Sequence, residues 1–361
     1  MSEKNNTRIS YIVPSLRSGG PTNQLFMIAK AAQKHFDVEI VTLHGEPSSI
    51  SQRSRFEKDG FRIINLDADK IKSLFSLRSY LMNRRPSLVH SQGFLPDILM
   101  SVLKSKYKWM ATIRNFPLAD YPSKFGRLIG YPMALAHLLA FRLCANAVAC
   151  SSYIGAEMAS KGVGARVIRN GVSPRPSSIH KSLTALPEGP FMVSIGSLNK
   201  RKNNRKIAAG FVLINQRSPK AHMVFLGEGP EADELKQVLG DAGIFAGHVD
   251  NVYDWLDAAS VFVSMSFSEG MPNSVLEALS AGKLCLLSDI EPHRELHQLF
   301  PDRITLVSLD TNDDALAEIM TNLVYEKSKK DIVIDKDILS GEKMSQTYLA
   351  FYREVLERES H

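Results

Sequence analysis

Strand-like runs of apolar residues alternate with helical patterns along almost the whole chain of 361 residues. The alternation stops near residue 172 at a polar segment that ends with the proline-bearing stretch 183–190, and a fresh strand pattern begins at residue 191. Strands and helices that alternate over short connections form parallel βαβ units with helices on both faces of a sheet. The interruption therefore predicts two α/β domains, each with a doubly wound parallel sheet, and the chain is long enough for two cores.

The apolar periodicity assigns elements to both halves. The predicted strands lie at residues 8–14, 38–43, 62–66, 87–90, 109–113, 147–150 and 166–168, and after the interruption at 191–195, 222–226, 261–265 and 284–287. The predicted helices include residues 21–35, 73–83, 132–143, 206–216 and 231–239, and a strongly amphipathic helix at 342–357.

Cysteine usage and the start of the chain favour a cytoplasmic protein. Cys144, Cys150 and Cys285 lie in apolar runs without CxxC spacing or neighbouring histidines, which is typical of buried thiols in a reducing compartment. The first residues are polar and lead directly into a strand pattern, so no signal peptide is expected. The longest apolar stretch, residues 133–141, is far too short to span a bilayer core of about 30 Å.

Charge is divided unevenly between the two halves. Residues 1–172 contain 24 Lys and Arg against 11 Asp and Glu, whereas the remainder contains 20 against 27, within a net charge of +6. A basic first half indicates a polyanionic partner, for which anionic lipid headgroups, a lipid-diphosphate acceptor and nucleic acid all qualify. A general contribution to solubility is the alternative explanation.

Two glycine-containing loops follow predicted strands. In residues 18–22, Gly19 and Gly20 let the backbone approach a ligand at the start of a helix, where N–H groups favour anions, although a tight turn explains the same pattern. In residues 196–203, a glycine turn is followed by three consecutive cations. Open α/β sheets bind ligands at the carboxyl ends of their strands, and cations fixed there stabilise a diphosphate. A solvated helix start is the alternative for this second loop.

A third loop, residues 266–282, carries two carboxylates between a buried strand and a helix. Glu269 precedes the helix, which opens near Asn273 and Ser274, and Glu277 lies about one turn inside it. The N–H groups and dipole of the helix start favour an anion, and carboxylates accept pairs of hydrogen bonds from vicinal hydroxyls. The pattern fits a site for a phosphorylated sugar or nucleotide, with helix-dipole pairing and a surface salt bridge as the structural alternative.

Residues 266–282 resemble the E-x7-E signature of the retaining family-4 glycosyltransferases of the GT-B fold. Further similar segments precede it in the order typical of the family, at residues 195–203, 226–230 and 247–256. Residues 168–172 are similar to the Asn-Gly-Val element that closes the family's first domain. The likeness covers nearly the whole chain and is most specific over residues 191–295.

The resemblance implies a GT-B architecture of two Rossmann-like domains that face each other across a cleft. An N-terminal acceptor-side domain is expected at residues 1–172, a nucleotide-sugar-binding domain at 173–341, and a C-terminal helix segment at 342–361 that packs back on the N-terminal domain. The implied reaction moves a hexose-type sugar from a nucleotide-diphosphate sugar, with UDP-sugars favoured over GDP-sugars, to a saccharide acceptor. It retains anomeric configuration and needs neither a metal ion nor a cofactor.

Combined with the basic first half, the resemblance predicts a lipid-linked acceptor in bacterial polysaccharide or lipopolysaccharide biosynthesis. We therefore expect a cytoplasmic protein that binds the anionic inner face of the plasma membrane peripherally and does not bind nucleic acid. The segment 121–143 fits this surface, because it combines cations with apolar side chains, although a core helix with a few solvated cations is the alternative. Its cations are Lys124, Arg127 and Arg142, and its apolar residues are Phe125, Leu128, Ile129, Leu135, Leu138 and Leu139.

Carried over residue by residue, the resemblance assigns Glu277 to the ribose diol, Glu269 to the donor-sugar hydroxyls and Lys202 to the diphosphate. The backbone of residues 247–249 is expected to meet the base, and the loop at residues 18–22 to close over the phosphates. The implied catalytic residues are Glu269, Lys202 and Arg114. The implied donor-binding residues are Gly19, Gly20, Ser197, Arg201, Lys202, Gly227, Gly247, His248, Val249, Gly270, Met271, Pro272, Asn273, Ser274 and Glu277.

The chain departs from the family pattern at two positions. Ser197 stands where most members have an arginine, and Arg201 is a candidate substitute for the missing diphosphate cation. Arg114 stands where many members have a histidine near the reacting sugar. Because arginine stays protonated, it is a poor general base but a suitable partner for a phosphate or an acidic acceptor. These departures leave open a catalytically weak sugar-nucleotide-binding protein, a GT-B phosphorylase or an epimerase.

Two further patterns are not assigned a role in the reaction. Asp67 and Asp69 have the Asp-x-Asp spacing of divalent-metal sites, but they lie on a polar loop far in sequence from the donor segments. Residues 104–109 mix cations with aromatics, as nucleic-acid binders do, and an exposed loop explains them equally well. We predict no metal ligands in this chain.

Overall fold

The computed structural model describes residues 7–66, 72–173, 186–217, 220–325 and 337–358. These residues divide into two compact units. Unit 1 runs to Ser173 and includes the residues from Ser340 onward, and unit 2 is the part of the chain between them. Each unit is built on one parallel β-sheet. The prediction of two parallel-sheet α/β folds is confirmed.

The described part of unit 1 contains a seven-stranded sheet. Its strands are β1 (Arg8–Val13), β2 (Asp37–Thr42), β3 (Arg62–Asn65), β4 (Leu88–Gln92), β5 (Trp109–Ile113), β6 (Asn146–Ala149) and β7 (Ala165–Val167). Its helices are α1 (Gly20–Ala32), α2 (Arg53–Lys58), α3 (Lys72–Arg84), α4 (Phe94–Leu103), α5 (Pro117–Arg142), α6 (Ser152–Ser160) and, at the end of the chain, α13 (Gly341–Glu357).

The strand order of unit 1 creates one place where a ligand can enter between loops. The order is β3-β2-β1-β4-β5-β6-β7, and neighbouring strands are parallel. The chain moves outward from β1 in one direction and then returns to place β4 on its other side. The loops after β1 and β4 therefore diverge at a topological switch point, the usual ligand position in an open α/β sheet.

Helix α13 completes the core of unit 1 rather than covering its surface. Met344, Tyr348 and Tyr352 are buried in the same cluster as residues of β1 and α1. The Tyr352 hydroxyl lies 2.7 Å from His90 Nδ1 and 3.1 Å from the Tyr11 hydroxyl, so polar bonds as well as apolar contacts join α13 to the sheet. Helix α13 is thus an integral element of unit 1, although it is separated in sequence from the rest of that unit.

The described part of unit 2 contains a six-stranded sheet. Its strands are β8 (Phe191–Ile195), β9 (His222–Leu226), β10 (Gly243–Gly247), β11 (Val261–Ser264), β12 (Leu284–Ser288) and β13 (Ile304–Val307). Its helices are α7 (Asn204–Arg217), α8 (Ala232–Leu239), α9 (Val252–Ala258), α10 (Asn273–Ser280), α11 (Glu291–Leu299) and α12 (Asp313–Tyr325). The order β10-β9-β8-β11-β12-β13 puts the switch point of this sheet between β8 and β11.

Helix α5 differs most from its sequence prediction. It begins at Pro117 rather than near residue 132, because proline is favourable in the first turn of a helix. Gly126 interrupts it with a φ of 74°, a conformation that favours glycine. A Cβ at Gly130 would clash with the backbone of Tyr121 and Pro122, so the two halves of α5 pack closely against each other across the bend.

Apolar side chains around this bend face solvent. Leu128 is 93% exposed, and the other large apolar residues here are at least 40% exposed. We call them the α5 apolar surface: Phe125, Leu128, Ile129, Tyr131, Leu135, Leu139 and Leu143. Leu138, which the sequence analysis grouped with these residues, is instead buried. Within the described ranges, no helix is long and apolar enough to cross a membrane.

Candidate functional site

Charged side chains from two distant segments meet at the switch point of unit 2. Lys202 Nζ donates a hydrogen bond of 2.7 Å to Glu269 Oε1, and Arg201 Nη1 lies 3.0 Å from Glu269 Oε2. Lys202 belongs to the loop after β8 and Glu269 to the loop after β11, 67 positions later. The structure therefore brings together three residues that the sequence analysis assigned to the donor sugar and its diphosphate.

Glu269 is the buried member of this cluster, and its carboxyl group is ionised. Burial alone would raise the pKa of Glu269, which is only 9% exposed, but the Lys202 ammonium and the Arg201 guanidinium outweigh that cost. They hold the pKa of Glu269 well below its usual range. Two cations around one carboxylate leave a net positive charge, so an approaching diphosphate is attracted while Glu269 remains able to accept hydroxyl hydrogen bonds.

Backbone bonds fix the two loops against each other. The Asn199 side chain accepts a hydrogen bond of 3.2 Å from the Lys202 N–H, which starts a short 3-10 turn at residues 200–202. The Phe267 N–H donates to the Arg201 carbonyl at 2.9 Å, and Arg201 Nη1 donates to the Ser268 carbonyl at 2.6 Å. The position of Lys202 relative to Glu269 thus depends on main-chain geometry as well as on their own ion pair.

The loop after β9 also approaches this edge, and glycine makes the approach possible. Gly227 has a φ of 141°, and a Cβ on it would clash with the carbonyl oxygen of Gly196. Gly247, at the end of β10, forms an isolated bridge with Gly227. The predicted donor residues Ser197, Gly227 and Gly247 therefore lie on three loops at one edge of the sheet, and Ser197 is exposed there. His248 and Val249 follow directly, and His248 is exposed.

Glu277 lies in α10, and its environment differs from that of Glu269. Burial raises the pKa of Glu277 to about 7. In the part of the chain that the structure describes, its carboxylate has neither a hydrogen bond nor an ion pair. α10 begins at Asn273 after Pro272, without a side-chain cap, and it follows the predicted segment Gly270 and Met271. Glu277 is therefore partly protonated near neutral pH.

His293 is a residue of this edge that the sequence analysis missed. It is completely buried at the start of α11, and its Nδ1 donates a hydrogen bond of 2.8 Å to the Ser288 carbonyl. Burial lowers its pKa to about 4, with Lys202 adding to that effect and Glu269 opposing it. Its Nε2 is buried without a partner among the described residues. Its position just beyond the carboxyl end of β12 was the available sequence signal.

Three predicted site residues lie in unit 1. Gly19 is the N-cap of α1 with a φ of 153°, which suits a glycine, and Gly20 is the first residue of that helix. Arg114 directly follows β5 and lines a cavity of about 340 Å³. Asp67 and Asp69 lie outside the described residues, and within those residues no group of three or more His, Cys, Asp or Glu could hold a metal ion.

The cavity lies at the switch point of unit 1. Its walls include residues from the end of β1, the loop after β4 and the first half of α5. The lining residues are Val13, Pro14, Ser15, Pro21, Thr22, Leu25, Gln92, Gly93, Phe94, Asp97, Thr112, Arg114, Asn115, Pro117, Asp120, Tyr121, Lys124, Phe125, Met133, His137 and Phe141. Its size suits a small-molecule ligand or part of a larger one.

A chain of hydrogen bonds forms one wall of this cavity. His137 Nε2 donates to Asp97 Oδ2 at 2.9 Å, and the Tyr121 hydroxyl lies 2.5 Å from His137 Nδ1. The Ser91 hydroxyl donates to Asp97 Oδ1 at 2.5 Å. Burial raises the pKa of Asp97, while the bonds from His137 and Ser91 act against that shift. These bonds satisfy both oxygens of a carboxylate that is completely buried.

Two family profiles match the chain, one largely in each unit. Residues 18–175 match the profile described as Glycosyltransferase Family 4, and residues 189–326 match the profile described as Glycosyl transferases group 1. Together the two matches cover most of the chain. The protein therefore belongs to the glycosyltransferases that these two profiles describe, and it is a glycosyltransferase.

Individual relatives agree with this assignment. The chain is 25% identical to the O-antigen biosynthesis glycosyltransferase WclY of Escherichia coli over 97% of this chain and 100% of that protein. It is 24% identical to the Escherichia coli UDP-Gal:alpha-D-GlcNAc-diphosphoundecaprenol alpha-1,3-galactosyltransferase over 82% of this chain and 84% of that protein. The crystal structure of Anabaena Alr3699/HepE in complex with UDP and glucose has a TM-score of 0.78 at 14% identity and covers 97% and 100% of the two chains. The predicted GT-B fold is confirmed.

Proposed function

We propose that this glycosyltransferase moves a hexose-type sugar, with retention of configuration, from a UDP-sugar to a lipid-linked saccharide in O-antigen or related lipopolysaccharide biosynthesis. The ion cluster of Lys202, Arg201 and Glu269 is the observation that carries the proposal. It provides a net positive site beside a carboxylate at the ligand-binding edge of unit 2. The choice of UDP is supported by the structurally similar HepE, whose crystal structure contains UDP and glucose. The choice of a lipid-linked acceptor is supported by the similar galactosyltransferase that is named for a diphosphoundecaprenol acceptor.

In the proposed reaction the cluster acts on the bond between sugar and diphosphate. Lys202 and Arg201 stabilise the negative charge that develops on the leaving diphosphate, a role that fixed cations perform well in a buried site. Glu269 accepts hydrogen bonds from the sugar hydroxyls, and Glu277 accepts those of the ribose. No protein nucleophile is invoked. The acceptor attacks from the face that the diphosphate leaves, and a diphosphate oxygen takes the acceptor proton.

A panel of nucleotide sugars tests this function directly. We expect UDP-sugars to raise the melting temperature, because a ligand at 100 times its Kd stabilises the folded state by about 2.7 kcal/mol. Transfer to a lipid-linked acceptor is expected to continue in EDTA, since Lys202 and Arg201 supply the positive charge for the diphosphate. Loss of activity in EDTA with recovery on adding Mn²⁺ contradicts the metal-free mechanism. Stabilisation by UDP-sugars without transfer favours a binding protein, and donor conversion without an acceptor favours an epimerase or phosphorylase.

The α5 apolar surface supports a second part of the proposal, peripheral binding to the cytoplasmic face of an anionic membrane. Exposed side chains of this size can enter the interfacial region of a bilayer, and the neighbouring exposed Arg127 and Arg142 add attraction to anionic headgroups, whereas Lys124 is paired with Asp120. The buried position of Leu138 is compatible with this orientation, because it anchors the same helix in the core. Groups of exposed large apolar side chains rimmed by polar residues often mark interaction sites.

Replacing Leu128 with aspartate and Arg127 with glutamate is expected to weaken binding to anionic vesicles at least about 30-fold, since each charge near such a surface contributes about 1 kcal/mol and the change at Arg127 removes a cation and adds an anion. Vesicle sedimentation at low and high salt measures the change. Leu128 is almost fully exposed, so its replacement has little effect on folding. Val238→Asp is the matched control, because it removes an exposed apolar side chain of unit 2. Equal sedimentation of the parent protein with neutral and anionic vesicles contradicts membrane binding and leaves the transferase assignment intact.

A further inference from the structure

Two residues that line the cavity of unit 1 each carry a buried hydrogen-bond donor that has no acceptor among the described residues. Arg114 Nη2 donates to Gln92 Oε1 at 2.7 Å, which holds the two side chains side by side. Arg114 Nε and Gln92 Nε2 are both buried without a partner among the described residues, and both residues line the cavity. Gln92 is only 4% exposed. Buried donors are nearly always satisfied, so this pair indicates a ligand that brings acceptor oxygens.

The charges around the cavity favour an anion at this position. Asp97 is bonded to His137 and Ser91, and Asp120 forms an ion pair of 2.6 Å with Lys124. The charge of Asp120 is therefore paired, whereas both oxygens of Asp97 are hydrogen-bonded and its carboxylate acts on Arg114 without forming a direct ion pair with it. Within the described part of the chain no carboxylate lies within 4 Å of Arg114, and burial lowers the pKa of its guanidinium. An arginine that remains charged in this setting is best stabilised by a bidentate anion such as a phosphate.

The rest of the cavity is suited to an apolar chain. Phe94, Met133 and Phe141 contribute apolar wall beside the polar pair. Phe125 lines the cavity and also belongs to the α5 apolar surface, so the two regions are continuous. A free phosphate would leave these walls uncovered, and an uncharged lipid would leave Arg114 and Gln92 unpaired. A phosphate joined to a long apolar alcohol satisfies both regions at once.

We propose that the cavity of unit 1 binds the phosphate-bearing part of a lipid-linked acceptor, with phosphate oxygens on Arg114 and Gln92 and the adjoining lipid against Phe125 and Met133. The inference rests on the proposed function and specifies where and how its acceptor is held. The lipid continues along the α5 apolar surface toward the membrane. Arg114 therefore serves as an anion ligand here, in keeping with its inability to act as a general base.

Calorimetric titration of the full chain with three probes tests the site. The probes are farnesyl diphosphate, farnesol and inorganic pyrophosphate, which separate the amphiphile from its two parts. We expect farnesyl diphosphate to bind at least tenfold more tightly than either part. Pyrophosphate that binds as tightly as farnesyl diphosphate identifies a free-phosphate site and overturns the proposal. Farnesol that binds as tightly overturns the role of Arg114 and Gln92.

Substitution of Arg114 identifies the position of the phosphate. R114Q is expected to weaken farnesyl diphosphate binding at least tenfold and R114K less, because lysine keeps the charge but loses the planar pair of donors. R78Q removes the same charge from an exposed position on α3, outside both the lining and the α5 apolar surface, and is expected to change affinity less than twofold. Equal effects of R114Q and R78Q overturn the proposal. A parent protein that is stabilised by UDP-sugars but does not bind farnesyl diphosphate refutes this site alone, whereas absence of a response to UDP-sugars refutes the proposed function itself.

Discussion

Replacing Lys202 with alanine is expected to lower the rate constant for sugar transfer about 100-fold, as loss of one preorganised charge beside a developing anion typically does. Lys202 is mostly shielded from solvent beside the buried Glu269, and it is held by Glu269 and by the turn that Asn199 caps. The change is expected mainly in kcat, because the leaving diphosphate carries more negative charge than the bound donor. Steady-state kinetics with saturating UDP-sugar measure it.

A matched lysine is available for comparison. Lys206 lies four positions further on, in α7, and its Nζ is 2.8 Å from Asp313 Oδ1, on a half-exposed part of the surface. Lys206→Ala is expected to change kcat by less than about twofold, since exposed ion pairs contribute little. Thermal unfolding of both variants checks that they fold. A Lys202→Ala enzyme that is folded and as active as the Lys206→Ala enzyme refutes the assignment of the diphosphate site.

Replacing Glu277 with glutamine is expected to weaken UDP-sugar binding about 10- to 100-fold, because a charged acceptor of two hydroxyl bonds is worth about 1.5–3 kcal/mol. The contribution of Glu277 to donor affinity depends on pH, because burial raises the pKa of its carboxyl group. The pKa of Glu277 in the ligand-free protein is raised from 4.5 to about 7, so the neutral acid predominates below that value. Binding requires the carboxylate. Donor affinity of the parent is therefore expected to fall as the pH drops through about 7, and this dependence is expected to disappear in the variant.

The pH dependence of protein stability is an independent measure of the pKa of Glu277. A carboxyl with a raised pKa contributes stability that is present below its ordinary pKa of 4.5 and is lost as the pH rises through about 7. Glu277→Gln is therefore expected to gain melting temperature relative to the parent above pH 7 and to gain little near pH 5. If the difference in melting temperature between the variant and the parent is the same near pH 5 and above pH 7, the raised pKa of Glu277 is contradicted. If the affinity of the parent protein for UDP-sugars does not change with pH, the assignment of Glu277 to the ribose is contradicted.

The sequence predicts the central strands of both sheets well and the edge strands of unit 2 poorly. β5, β8 and β9 match their predicted bounds, because central strands of a parallel sheet are covered on both faces and are recognisable as apolar runs. β10 and β13 were missed. Both are short edge strands with half-buried positions, and β10 begins and ends with glycine, so their apolar signal is weak.

Some residues of the candidate site could likewise be identified from the sequence, and others could not. Glu269 and Lys202 could be identified from local sequence because each follows a strand at the carboxyl edge of a sheet. Their ion pair could not be predicted, since it depends on contacts between distant loops such as the hydrogen bond from the Phe267 N–H to the Arg201 carbonyl. His293 and the cavity of unit 1 were not foreseen. Both arise where side chains from separate elements leave a polar atom unpaired, which no single segment reveals.

The placement of α13 in the core of unit 1 has a consequence for how the protein forms in the cell. Tyr352 is the partner of His90 and Tyr11, yet it is synthesised 341 positions after Tyr11. At about 5–20 residues per second, a ribosome needs about 10 to 40 s to synthesise residues 174–361. During that interval the first unit is on the ribosome with the place of α13 unfilled and the apolar side chains of β1 and α1 uncovered. We therefore expect nascent chains of this protein to aggregate more readily than the folded protein, because this apolar surface is exposed until α13 has been made.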